Sequence, residues 1–413
     1  MKRVVVTGMA GITSLGSDWA TIASAMRAGQ TGIRRIDEWA QYRDLNTQIA
    51  GPVLDFALPA HYTRKHTRSM GRIAQMAVYA TECALNDAGL LGNPIIQDGR
   101  MGVAYGSSTG STEAIQAFGY SLLEKDVNGL NANSYLRMMS HTSAVNIGVY
   151  FGLKGRVIPT SSACTSGSQG IGYAYEAIKY GQQKLMVAGG AEELCPTEAM
   201  VFDTLYATST KNDAPHTTPR PFDQDRDGLV IGEGAGTLIL EELEHALARG
   251  AHIHAEIVGF ACNSDGAHVT RPESATMEVA MRLALDNAEL KASDIGYVNA
   301  HGTATEQGDI AESQATHRVF GEQMPVSSLK GYFGHTLGAC GALEAWLTIE
   351  MLNGGWFAGN VNLDTLDPAC GTLDYLPLAG REIQCVHVMS NNFAFGGINT
   401  SLIFRRWPHA DSA

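Results

Sequence analysis

Four segments of this 413-residue chain set chemically capable side chains, or the backbone donors such chemistry needs, in turns built of small residues. In Thr160-Ser161-Ser162-Ala163-Cys164-Thr165-Ser166-Gly167-Ser168 a cysteine stands where a helix should begin. The free N–H groups and positive potential of a helix start favour thiolate over thiol, lower the thiol pKa and can hold an oxyanion. An isolated cysteine is more often a small buried thiol. That reading suits Cys83, Cys262 and Cys385, whereas the dense flank of small polar residues makes Cys164 the nucleophile. In Asn299-Ala300-His301-Gly302-Thr303-Ala304-Thr305-Glu306-Gln307-Gly308-Asp309 a strand ends at a histidine, where α/β proteins put catalytic groups. In Ser327-Ser328-Leu329-Lys330-Gly331-Tyr332-Phe333-Gly334-His335-Thr336-Leu337-Gly338-Ala339 another strand ends with a lysine and a histidine close together. Taken singly, each histidine reads as a turn residue satisfied by backbone, and Lys330 as a solvated charge. The paired glycines in Asn391-Asn392-Phe393-Ala394-Phe395-Gly396-Gly397-Ile398-Asn399 suggest a hinge or backbone donor site, with a bulge or hairpin turn as the plainer reading.

The elements that must hold these turns follow from pattern. Short apolar runs at 3–7, 101–105, 185–188, 237–241, 256–260, 296–299, 325–328 and 387–390 read as strands. Longer amphipathic stretches at 73–88, 166–180, 276–287, 309–320 and 339–353 read as helices. Their alternation predicts an α/β fold around a largely buried sheet. A weak internal echo, Val4-Val5-Val6-Thr7-Gly8 against Ile257-Val258-Gly259-Phe260, suggests two copies of one unit. Gly232-Glu233-Gly234-Ala235-Gly236 imitates a dinucleotide loop, but a strand-like run follows it where a helix would be needed.

Together the four motifs resemble the β-ketoacyl-acyl-carrier-protein synthases of the elongating class, over essentially the whole chain. Arg220-Pro221-Phe222-Asp223 and Asp227-Gly228-Leu229-Val230-Ile231-Gly232-Glu233-Gly234 belong to the same likeness. The resemblance implies the thiolase fold: two duplicated α/β halves, 1–250 with the cysteine and 251–413 with the histidines, in five α-β-α-β-α layers. It implies an acyltransferase that condenses a Cys164-bound acyl chain with malonyl-carrier in fatty acid elongation. His301 and His335 would hold the malonyl carbonyl, and the N–H groups of Cys164 and Phe395 would form the oxyanion hole. Lys330 and Glu344 would set the electrostatics. Thr303, Thr305 and Phe393 would line the substrate path, with Phe395 as the gating aromatic.

Paired histidines argue against starter-condensing enzymes and chalcone synthases, which use His and Asn, and against biosynthetic thiolases, which use a second Cys. An intact Cys164 argues against chain-length factors, the non-catalytic partners of such complexes. The alternative within the enzymes is a ketosynthase of a polyketide-like or aryl-polyene pathway. Departures from the family pattern fall at Ala394 and Ile398 in the glycine loop, at Thr109 beside the expected acyl pocket, and at Tyr206, where an Arg for carrier docking is usual.

Bulk composition narrows the partners. A net charge of −13 argues against nucleic acid. An acidic acyl carrier protein therefore needs a local basic patch, and Arg64, Lys65, Arg68 and Arg72, with Lys211, supply the candidate. Charged residues at 17% suggest surface lost to an oligomer interface, and the family resemblance implies a homodimer, or a heterodimer with a chain-length factor. Seven dispersed cysteines without a Cys-x-x-Cys pair indicate free thiols in the cytoplasm and no zinc site. No run is long enough to span a membrane. The chemistry calls for no cofactor beyond the phosphopantetheine that carries the substrates.

Overall fold

Val4, Val5 and Val6 are completely buried, and the strand they open runs to Ile12. Both its faces are covered, so its sequence reads as an apolar run instead of an alternation. The computed structural model describes residues 1–408; the last five residues of the C-terminal unit expected over 251–413 lie outside the described residues.

The central strands are β1 (Val4–Ile12), β2 (Met101–Gly106), β3 (Val157–Thr160), β4 (Leu185–Glu192), β5 (Gly234–Glu242) and β6 (Ala255–Ser264). They continue with β7 (Ile295–Asn299), β8 (Pro325–Ser327), β9 (Asp374–Tyr375), β10 (His387–Ala394) and β11 (Ile398–Arg406). Their order across the sheet is β9-β8-β7-β10-β11-β6-β1-β5-β4-β2-β3. In the first set β2 pairs in parallel with β3 and β4, while β5 pairs antiparallel with β4 and β1. In the second, β7 pairs in parallel with β8 and β10, while β11 pairs antiparallel with β10 and β6. The two sets repeat one five-strand pattern, which gives physical form to the echo in the sequence. They meet where Val4, Val5 and Val6 of β1 pair with Ile257, Glu256 and Ala255 of β6.

Five helices complete the layers: α1 (Arg72–Asp87), α2 (Ser166–Lys179), α3 (Ser274–Ala288), α4 (Glu306–Phe320) and α5 (Cys340–Gly354). α1 covers the outer face of the first set, and α3 with α4 cover that of the second. α2 and α5 lie between, touching strands of both sets, which yields the α-β-α-β-α order of the thiolase fold. The middle position explains two features of sequence. α5 is buried on every side, from Leu343 and Trp346 to Thr348 and Leu352, so it shows no polar stripe. α2 carries glycine where backbones close in: a Cβ on Gly170 would lie 2.8 Å from Gly189 O and 2.9 Å from Ala104 O.

The helices expected from pattern match these five, with starts within three residues. β3, β9 and β11 are not among the expected strands, and most others extend beyond the expected runs.

Candidate active site

Cys164 sits in the turn between β3 and α2. Small hydroxyl residues shape that turn: Ser162 N–H donates to Ser166 Oγ (2.9 Å), Ser166 Oγ to Ala163 O (2.7 Å), and Thr160 Oγ1 to Ser166 O (2.7 Å). Ala163 is held at φ 51°, a left-handed conformation that a non-glycine residue keeps only when its surroundings enforce it. The strained turn aims the thiol inward, and the N–H groups of Phe395 and of Cys164 itself reach the sulfur.

The two histidines arrive from the second strand set. His301 follows β7, and its turn is gathered by Glu312, whose carboxylate accepts His301 N–H and Gly302 N–H, both at 2.7 Å. His335 follows β8 and the one-turn helix Lys330–Phe333. Its backbone is pinned by His335 N–H to Val230 O (2.7 Å) and Gly232 N–H to His335 O (2.8 Å). The rings stand edge to face, 5.1 Å apart. His335 Nε2 lies 3.0 Å from Cys164 Sγ, and its Nδ1 accepts Leu337 N–H at 3.2 Å. The accepting role of Nδ1 puts the ring proton on Nε2, so His335 donates towards the sulfur. His301 Nδ1 faces the amide nitrogen of Asn392 at 3.4 Å, which likewise leaves its proton on Nε2.

Behind the rings Lys330 pairs with Glu344, and both are completely buried. Glu344 also accepts Asn392 Nδ2 at 2.7 Å. Burial pushes Glu344 upward while the carboxylate raises Lys330, and we assign a charged pair because ammonium and amide donors both satisfy the carboxylate. Burial, then the Lys330 ammonium, hold both histidines well below 6.5, so they are neutral at physiological pH.

Cys164 corrects one expectation. Its pKa is not lowered: burial pushes it to about 11, outweighing the backbone N–H groups and Lys330. At pH 7 the resting group is the thiol, with thiolate at roughly one part in ten thousand. Cys164, His301 and His335 could each present a ligand atom within 4.8 Å of the others. The Nε2 protons make the two rings donors there, not metal ligands.

A cavity of about 450 Å³ opens onto these groups, with Thr303, Thr305, Phe393 and Phe395 on its wall. Thr303 and Thr305 bond to each other at 2.9 Å. Phe395 occupies the hairpin turn between β10 and β11 and packs edge-on against Phe202, ring centres 5.9 Å apart. Tyr206 stands exposed at the mouth. Thr109 is half-buried and outside this cavity's wall.

Most of the chain matches β-ketoacyl synthase models: the N-terminal domain over residues 1–246 and the C-terminal domain over 254–364. The chain belongs to the β-ketoacyl synthase family. A crystal structure of a β-ketoacyl synthase from Burkholderia phymatum STM815 is 62% identical, with a TM-score of 0.97, covering 98% of this chain and 100% of that one. The 3-oxoacyl-[acyl-carrier-protein] synthase 2 of Vibrio cholerae is 39% identical, covering 98% of this chain and 99% of its own. A type II polyketide ketosynthase, solved with its acyl-carrier protein and bound to the hexaketide, is 30% identical with a TM-score of 0.87, covering 98% of this chain and 99% of that one. This family member is a condensing acyltransferase, a 3-oxoacyl-carrier-protein synthase of the fatty acid type, and the polyketide alternative is the less supported reading.

The basic segment differs from its expected form. A one-turn helix, Arg64–Thr67, ends before α1 begins, so Arg72 shares no continuous helix face with Arg64, Lys65 and Arg68. Arg72 is committed elsewhere: its Nε meets Glu233 Oε1 at 2.5 Å and its Nη2 donates to Val53 O at 2.7 Å. Arg64, Lys65 and Arg68 are exposed, and Arg137 joins Arg64 and Arg68 around a shallow polar hollow. Lys211 lies apart, donating to Asp225 O at 2.9 Å. Sequence reasoning missed Asn392, Glu312 and Cys340, whose Sγ donates to Cys164 O at 3.1 Å. Asn392 lies inside a motif singled out above, but nothing in its neighbours announces the contact.

Proposed function

We propose that Cys164 takes the acyl chain as a thioester and that His301 and His335 then serve decarboxylative condensation with a malonyl group. Both substrates arrive on the phosphopantetheine arm of an acyl carrier protein. The observation that carries this reading is the convergence of three donors on one sulfur: His335 Nε2 at 3.0 Å and the N–H groups of Cys164 and Phe395.

In the first half-reaction Cys164 Sγ attacks the acyl thioester. The new S–C bond forms as the carrier S–C bond breaks, and the thiol proton ends on the departing carrier thiol. The two backbone N–H groups receive the oxyanion. In the second, the Nε2–H groups of His301 and His335 donate to the malonyl thioester oxygen while the bond to the carboxylate breaks and carbon dioxide leaves. The enolate carbon attacks the acyl thioester and expels Cys164 sulfur, which takes one proton from solvent. Lys330, held by Glu344, supplies positive potential. Phe395 gates the path, Thr303, Thr305 and Phe393 line it, and Thr109 borders the acyl chain. Neither step calls for a metal or a redox cofactor.

Arg64, Lys65 and Arg68 dock the carrier; Arg72 and Lys211 are left out of that role. The halves 1–250 and 251–413 act as the cysteine-bearing and histidine-bearing units. The exposed Leu122, Leu123 and Val127 favour a dimer, with a second copy or with a chain-length factor. Free cysteines throughout the described residues favour the cytoplasm. Incubation with acyl-carrier and peptide mass spectrometry tests the core of the reading. The adduct is expected on Cys164, and an adduct on another cysteine that persists in Cys164→Ala would overturn it.

A further inference from the structure

Glu192 is the last residue of β4 and is completely buried, yet the chemistry above leaves it without a role. A single oxygen, Oε2, accepts three donors: Ser108 N–H at 2.8 Å, Ser108 Oγ–H at 2.5 Å and Gly338 N–H at 2.9 Å. These donors come from two loops far apart in the chain. Ser108 lies in the turn 107–110 after β2, beside Thr109, and its carbonyl accepts Ser161 Oγ from the nucleophile turn at 3.4 Å. Gly338 follows Leu337, whose N–H fixes His335 Nδ1. Leu337 is held at φ 45°, a conformation that costs a non-glycine residue of order 1–3 kcal/mol and persists only under external constraint. The junction has no slack: a Cβ on Gly338 would lie 2.6 Å from Ser108 N and 2.7 Å from Glu192 Oε2.

We infer that Glu192 is the positioning residue of His335. Its Oε2 clamps Gly338, and with it the strained Leu337 peptide that fixes the imidazole tautomer, to Ser108 in the turn that borders Cys164. The carboxylate thereby couples two places: a chain that presses on the turn 107–110 pulls on Ser108, and the pull reaches His335 through one shared oxygen. Burial is the main influence on Glu192, raising it to about 7, with Glu193 and Glu198 among the charges around it. Glu193 is the natural control. It is also buried and also binds backbone, accepting Ile73 N–H at 3.0 Å and Thr112 N–H at 2.8 Å, but it touches neither Ser108 nor Gly338.

The inference rests on the proposed roles of Cys164 and His335, so the parent enzyme's acyl transfer and carbon dioxide release are measured first; failure there sinks those roles, not this one. At about pH 8, above the Glu192 titration, Glu192→Gln keeps one acceptor oxygen and its volume but loses the charge that gathers three donors. Its carbon dioxide release should fall on the order of tenfold relative to its acyl transfer, the scale of a sub-ångström misplacement of a catalytic group. Glu193→Gln should lower melting temperature without moving that ratio. Nitrogen-15 shifts of His335 supply a readout independent of turnover: the parent shows an acceptor Nδ1 and a protonated Nε2, and Glu192→Gln mixes the tautomers. Glu192→Asp, which keeps the charge on a shorter arm, should restore part of the ratio. An unchanged ratio together with an unchanged tautomer in Glu192→Gln would overturn the inference, as would Glu193→Gln shifting the ratio equally.

Discussion

Replacing each histidine by alanine should separate two roles that the geometry keeps distinct. Each ring presents one Nε2–H to the site, and both are neutral, buried donors. Losing one preorganised donor to a developing oxyanion costs about 3 kcal/mol, on the order of 10² in rate. Carbon dioxide release from malonyl-carrier should therefore fall by that factor in both His301→Ala and His335→Ala. Acyl transfer should not fall equally. His335 stands 3.0 Å from Cys164 Sγ, whereas His301 makes no hydrogen bond to it. Both groups are neutral at rest, and a hydrogen bond between neutral partners is worth about 0.5–1.5 kcal/mol. His335→Ala should thus slow acylation by roughly two- to tenfold, less than it slows carbon dioxide release, and His301→Ala by less still. Single-turnover assays with radiolabelled acyl-carrier and malonyl-carrier read the two steps separately. Parental carbon dioxide release in both variants, or equal losses of acyl transfer, would refute the assignment of donors.

Lys330→Met should destabilise the fold by about 3–5 kcal/mol, because it leaves Glu344 buried beside Asn392 without its cation, and Lys330→Met/Glu344→Leu should recover part of that loss in a denaturant titration. Both histidines are depressed below 6.5, so the folded site binds fewer protons than the unfolded chain as pH falls through that value, and stability should decline on the acid side. No histidine titration should appear in carbon dioxide release between about pH 8 and about pH 6.5, and a histidine midpoint at or above 6.5 in the rate profile would contradict neutral donors. Reversing Lys65 and Arg68 to Glu should raise KM for carrier-bound substrate and spare a small pantetheine thioester, whereas Arg72→Ala should lower melting temperature instead, since it strands buried Glu233; equal damage to both substrates by the first pair would move docking elsewhere.

The sequence spoke clearly where local pattern and global position agree. Cys164, His301 and His335 each lie in a turn after a strand, and that syntax survives in one dimension. β3 did not, because Pro159 sits inside a four-residue strand at the edge of the sheet, where a missing N–H is tolerated. The basic stretch misled because Ser69-Met70-Gly71 breaks what its spacing read as one helix. The Cys164 pKa went the other way because depth of burial is set by α5 and the second strand set, which no neighbour of Cys164 in sequence reveals. Asn392, Glu312 and Glu192 act through partners brought in by the fold, up to 146 residues away for Glu192 and Gly338.

The repeated strand pattern has a consequence for how this enzyme fails. Cys164 follows β3 and His335 follows β8, the corresponding strands of the two sets, so bond making spans a seam between two similar bodies. The two strand sets pair directly through three residue pairs of β1 and β6; the helix layer between them and loop contacts such as His335 with Val230 supply the rest of the adhesion. A slight parting at that seam would separate sulfur from imidazole while each body kept its own hydrogen-bond ladder. Catalysis should accordingly vanish at lower urea concentration than ellipticity, leaving an inert but still ordered protein over the interval.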